Sequence, residues 1–121
     1  MVAHTADGLT PTFHALAHPI RREIVALLTH VEHATVLEIA VHFAISLNGI
    51  SKHLKVLERA GILKRAISGR THYCSLQTAP LAQAEAWIAH YRQFWQERLD
   101  GLERFLANKK QQDQSQEQES V

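Results

Sequence analysis

The chain has 121 residues, a net charge of +1, 45% hydrophobic residues and 21% charged ones. Those figures fit one soluble globular domain and exclude two, and no apolar run approaches the roughly 20 residues that span a bilayer. A single cysteine excludes an internal disulfide. The opening Met-Val-Ala-His-Thr-Ala-Asp lacks the basic start and apolar core of a secretory signal, so a cytoplasmic protein with no membrane role is expected.

Residues 1–9 read as a flexible arm. Thr10 and Pro11 then start a helix, with Thr as cap and Pro in the first turn. Phe13, Leu16 and Ala17 share one face of it. The helix stops near His18, because Pro19 disfavours helical geometry in the residue before it. Pro19 opens a second helix, with Ile20, Ile24, Leu27, Leu28 and Val31 toward the core and Arg21, Arg22 and Glu23 outward. Thr35-Val36-Leu37-Glu38 has the spacing of a capping box. It begins a short helix to about Phe43, whose core residues are Leu37, Ile39, Ala40 and Phe43. Ala44-Ile45-Ser46 is a tight turn.

Residues 46–60 form the helix on which the rest is organised. Leu47, Ile50, Leu54 and Leu57 recur at spacings of three, four and three, one apolar stripe. Asn48, Ser51, Lys52, Lys55 and Arg59 fall on the other side, which carries cations and no acid. Ser46 can cap the first turn and Gly61 can end the last. Helix, three-residue turn, helix is the helix-turn-helix arrangement, and a helix packed on one side and basic on the other suits the major groove of DNA. The bland alternative, a solvated surface helix, usually interleaves acids with bases.

Two β-rich runs, 62–67 and 71–76, flank a Gly-containing turn with Arg70 at its tip, a basic hairpin or wing. Residues 46–72 carry +5, which leaves −4 for the remainder. Charge gathered in one segment predicts a polyanionic partner better than the total does. Thr78 and Pro80 start the longest helix. Leu81, Ala84, Ile88, Tyr91, Trp95, Leu99, Leu102 and Leu106 form a near-heptad seam, widened by Trp87, Phe94 and Phe105. So broad an apolar face reads as a subunit interface. Residues 108–121 are polar and cannot build a core, so a disordered tail is expected.

Three strings resemble the ArsR family of winged-helix repressors: Ala15-Leu-Ala-His-Pro-Ile-Arg-Arg-Glu-Ile-Val-Ala-Leu-Leu28, Ile50-Ser-Lys-His-Leu-Lys-Val-Leu-Glu-Arg-Ala-Gly-Ile-Leu63 and Gly69-Arg-Thr-His-Tyr73. The resemblance spans about residues 10–107. It implies a mainly α winged helix-turn-helix with a small β-hairpin, in the order α-α-α-α-β-β-α. It further implies a homodimer joined through its first and last helices, with Phe13, Leu16, Ile88, Tyr91, Trp95, Leu99 and Leu102 in the interface. Recognition helices would enter successive major grooves of a pseudo-palindromic operator, and the protein would repress transcription, often of its own gene. Carried over by position, Ser46, Asn48, Gly49, Ser51, Lys52 and His53 occupy the reading portion of the recognition helix, with a packed or backbone-bonded His53 as the other reading; Lys55 and Arg59 of the same helix, and Arg65, Arg70 and His72 of the wing, complete the expected DNA-binding set. Leu47 departs from the family, where a Gln is common. Lys52 and Lys55 suit phosphate or guanine, and Asn48 suits adenine.

The closing stretch resembles a branch of the family without the known metal sites. His14 and His18, four apart, could meet His90 of a partner subunit around zinc, but two ligands fall short of the three or four zinc needs. No cofactor is expected. Cys74 reads as a small core residue rather than a redox switch, which wants an exposed thiolate. Two other readings stay open: a metal- or small-molecule-responsive sensor on the same scaffold, and a protein-interaction module using the 80–107 helix. An enzyme is not expected, since no phosphate loop, no nucleophile paired with a base and no carboxylate pair is present.

Overall fold

A computed structural model of the chain describes residues 7–119. The chain forms two compact units, one up to Glu85 and one from Ala86 onward. The first holds α1 (Leu9–Leu16), α2 (Pro19–Leu28), β1 (Ala34–Thr35), α3 (Val36–Ala40), α4 (Leu47–Arg59), β2 (Leu63–Ser68), β3 (Thr71–Leu76) and the start of α5 (Ala79–Glu119). The second is the remainder of α5. The expected winged helix-turn-helix is present as α3, a turn and α4, followed by the β2–β3 hairpin.

The order differs from the expected one by an extra strand. β1 pairs antiparallel with β3, Ala34 opposite Cys74 and Thr35 opposite Tyr73, so the sheet has three strands in the order β1-β3-β2. Two residues are too few to show a period-two pattern, which is why this strand escapes a sequence reading. In the hairpin, Leu63 faces Leu76 and Ser68 faces Thr71. The loop between is Gly69-Arg70, and only Gly69 has a positive φ, +62°. Glycine at the first loop position is the type II′ pattern, whose twist matches that of the strands.

The core of the first unit joins α2, α3, α4 and the sheet. Ile24, Ile39, Ile50, Leu54, Leu57, Ile62 and Cys74 are fully buried, with Ala15, Leu28 and Leu63 beside them. Each such Leu or Ile contributes about 1.5–3 kcal/mol relative to an exposed one. Of the expected core residues, Val31 and Leu37 are exposed instead. Val31 lies past the end of α2, and α3 is little more than one turn, so only Ile39 of its apolar residues is fully covered.

Boundaries shift as well: α3 ends at Ala40 rather than about Phe43, and the first hairpin strand is Leu63–Ser68 rather than 62–67. α1 begins at Leu9, with Gly8 rather than Thr10 at the cap position; the preceding Asp7 supports this first turn, its Oδ1 accepting from Leu9 N–H at 2.8 Å and its Oδ2 from the Thr10 hydroxyl at 2.7 Å. Residues 1–6 of the expected arm lie outside the described residues. At the other end, α5 runs to Glu119 instead of giving way to a disordered tail after Ala107. Residues 108–119 are rich in Gln, Lys and Glu, all good helix formers, and contain no Gly or Pro. A formed turn propagates through such residues without needing a core.

Candidate nucleic-acid interface

α4 is fixed at both ends. The Ser46 hydroxyl accepts from Gly49 N–H at 3.1 Å. At the other end Gly61 N–H reaches Glu58 O and Ile62 N–H reaches Leu57 O, both at 3.0 Å. This is a Schellman motif, and Gly61 supplies the left-handed residue it needs, at φ +78°. Its apolar contact is also present, since Leu57 and Ile62 are both fully buried. Between the caps, Ile50, Leu54 and Leu57 anchor one side, while Asn48, Lys52, Lys55 and Arg59 are exposed on the other. Ser51 is half-buried. Leu47, expected to complete the apolar stripe, is 48% exposed.

Two residues of the expected DNA-binding set sit against local structure. A Cβ at Gly49 would lie 3.3 Å from both Ile45 Cδ1 and Ser46 Oγ. Its bareness therefore makes room for the turn and the cap. Arg59 closes α4 beside Pro11 and His14 of α1, in a small cleft. Eleven residues separate it from Asn48, about 16 Å along the helix axis.

The wing faces α4 with its other functional residues. Arg65 and His72 lie on the hairpin face that carries buried Cys74, and Arg70 is exposed at the tip. Together with Thr35, Leu37, Ser51 and Thr71 they line a cleft of about 300 Å³ between the start of α3, α4 and the wing. Arg65 is not a free cation there. Its Nε stands 3.4 Å from Glu58 Oε2, an ion-pair distance without hydrogen-bond geometry, and its side chain is only 17% exposed. Its Nη1 donates to His72 Nδ1 at 3.4 Å. Arg65 thus ties the wing to α4, and it leaves Arg70 as the cation the tip presents. Glu58, the acid of the recognition helix, is spoken for by the same pair.

His53 points inward. Arg21, expected to face out, is buried at 9% exposure on the stripe it shares with Ile24 and Leu28. Its Nε donates to Ala15 O at 2.6 Å, its Nη2 to His14 O at 3.1 Å and its Nη1 to His53 Nδ1 at 3.1 Å. Arg22 Nη1 donates to Leu16 O at 2.7 Å. Two arginines thus satisfy the open carbonyls at the end of α1. An arginine cannot accept, so His53 Nδ1 is the acceptor and its proton sits on Nε2. The ring of His18 lies 4.4 Å from that of His53, and His18 Nδ1 accepts from Ile20 N–H at 3.2 Å as the cap of α2. Burial, then His18, then Arg21 hold the His53 pKa below its usual 6.5. The spacing of Arg21 with Ile24 and Leu28 was the signal that could have placed it; its charge hid it.

Residues 16–66 match the helix-turn-helix domain family. Transcriptional repressor SdpR of Bacillus subtilis (strain 168) is 35% identical over 79 residues, 65% of this chain and 87% of that protein. The crystal structure of an ArsR family transcriptional regulator superposes with a TM-score of 0.69 at 34% identity, covering 74% of this chain and 91% of that one. The chain belongs to the ArsR family of transcriptional regulators. The homodimeric winged helix-turn-helix DNA-binding domain of Mb0332 from Mycobacterium bovis shares the fold, with a TM-score of 0.60 at 23% identity over 75% of this chain and 83% of that one. Fold and family alike are those of regulators, not enzymes.

In this ArsR-family protein the second unit is a single helical stretch with a bare apolar side. Trp87, Tyr91, Trp95, Leu99 and Leu102 are 41–54% exposed, and Phe94, Phe105 and Leu106 are exposed as well. The Tyr91 ring is tilted against those of Trp87 and Trp95, with centroids 4.9 Å and 6.5 Å away. Of the other interface candidates, Phe13 is 38% exposed, and Leu16 and Ile88 are half-buried. No helix among the described residues is long and apolar enough to cross a membrane.

The zinc candidates do not share a helix as their spacing suggested. α1 ends at Leu16, so His14 is on α1 while His18 caps α2. Among the described residues no three His, Cys, Asp or Glu converge. Cys74 is buried opposite Arg65, and burial pushes its thiol pKa up. A raised pKa leaves little thiolate, the reactive form.

Proposed function

We propose that the protein is a homodimeric, sequence-specific repressor that binds double-stranded DNA in the cytoplasm, with α4 in the major groove and the wing on the backbone or minor groove. One observation carries the reading: Asn48, Lys52 and Lys55 are exposed along one side of a helix whose other side is pinned by three fully buried residues, with exposed Arg70 on the adjoining wing. A helix so held presents its cations as a rigid set, and phosphate contacts then position it for base readout. The bare apolar side of α5 supports a second copy as its cover, and Mb0332, of like fold, is homodimeric. Its relative SdpR is a transcriptional repressor, and blocking a promoter needs no more than tight, well-placed binding.

Two-fold symmetry implies a pseudo-palindromic operator with half-sites about 10 base pairs apart, or a multiple of that. Titration of duplexes from the gene's own upstream region, at several salt concentrations, tests the reading. Affinity should fall steeply with salt, and Lys52→Ala and Arg70→Ala, each lost from both subunits, should weaken every duplex and lower the salt slope by about two. Unchanged affinity in both variants would overturn it.

A further inference from the structure

We propose that Leu47 reads the 5-methyl group of a thymine in the major groove. The proposal rests on the DNA-binding reading above and names a specificity determinant within it. Spacing with Ile50, Leu54 and Leu57 would bury Leu47, yet those three are fully buried and Leu47 is 48% exposed. It is the first residue of α4, directly after the Ser46 cap. In a helix each Cα–Cβ bond tilts toward the N-terminus, so a side chain at the first position projects past the end of the helix. In a helix-turn-helix that end is the one that meets base edges.

The surroundings narrow what Leu47 can recognise. Ser46 and Asn48, on either side, are exposed, and Lys52 follows in the next turn, exposed too. A branched aliphatic chain can neither donate nor accept a hydrogen bond, so it adds nothing to phosphate binding. The apolar mark on the floor of the major groove is the thymine C5-methyl. Covering it with Leu47 removes apolar surface of both partners from water. Asn48 beside it carries the donor and acceptor that pair with adenine. The two together favour A·T pairs at the tip of the helix.

The test begins by selecting bound duplexes from a random pool with the full chain. Each thymine of the selected half-site is then replaced by deoxyuridine, which deletes only the methyl. At one symmetry-related thymine, uracil should weaken binding about threefold to tenfold, the range expected for one apolar carbon. Leu47→Ala should bind the thymine duplex weakly by a similar factor and show no uracil penalty. Leu47→Gln should select a different base at that position. No uracil penalty at any thymine, or a penalty that survives undiminished in Leu47→Ala, overturns the assignment while leaving DNA binding intact. Failure of the unaltered chain to select any duplex overturns the DNA reading and this inference with it.

Discussion

Arg21 brings a full charge to a site 9% exposed, and three acceptors receive it there: His14 O, Ala15 O and His53 Nδ1. The last of these links the recognition helix to α1 and α2 through a side chain that must stay neutral. From the packed elements, His18 and Arg21 are the charged or titratable groups that face His53, and both oppose its protonation. With its pKa held below 6.5 in the folded chain, the unfolded chain binds the proton first as pH falls. Stability is therefore full above about pH 6.5 and declines as pH drops below it toward the folded pKa. The melting temperature should fall between pH 7.5 and 5.5, and His53→Gln should reduce that fall. An equal fall in the variant would assign it to other histidines.

At the scale of elements, the start of α3 and both ends of α4 were legible in the sequence, because capping there depends on one side chain and its near neighbours. Thr35 accepts from Glu38 N–H at 3.1 Å, Ser46 caps α4, and Gly61 ends it. Gly61→Ala forces a Cβ into a left-handed conformation, which costs about 1–2 kcal/mol. Urea unfolding should register that loss with an unchanged slope. Space is not the obstacle, since the added carbon would meet only Pro80 Cγ, at 3.5 Å. What escaped the sequence depended on contacts distant in the chain. β1 exists because Ala34 meets Cys74. Leu47 and Leu37 obey a helical period and are still exposed, because each lies on an end or side that nothing covers. Arg65 looks like a wing cation until Glu58, on another element, is seen 3.4 Å away.

For the molecule as a whole, segregation of charge and of apolar surface was written into the composition of segments. The +5 of residues 46–72 appears as a cationic helix side and wing tip, and the near-heptad seam appears as a bare side of α5. Were the seam a dimer interface, charges placed on it would be costly to desolvate. Trp95→Asp with Leu99→Asp should convert the protein from dimer to monomer in sedimentation at micromolar concentration. Operator affinity should fall by at least tenfold, since one recognition helix then replaces two. A double variant that still sediments as a dimer would move the interface elsewhere.

Thr35 belongs to two structures at once. It is the last residue of β1, opposite Tyr73, and its hydroxyl is the cap of α3. The wing and the leading helix of the DNA-binding pair consequently share a single joint with no slack. Extra residues are tolerable around Gly69, where an added carbon would have nothing within 4 Å. An insertion between His72 and Cys74 is another matter. It would slide the strand by one residue, turn its side chains over, and unseat the start of α3 in the same stroke. The wing can thus be lengthened at the outer bend and is locked at the root.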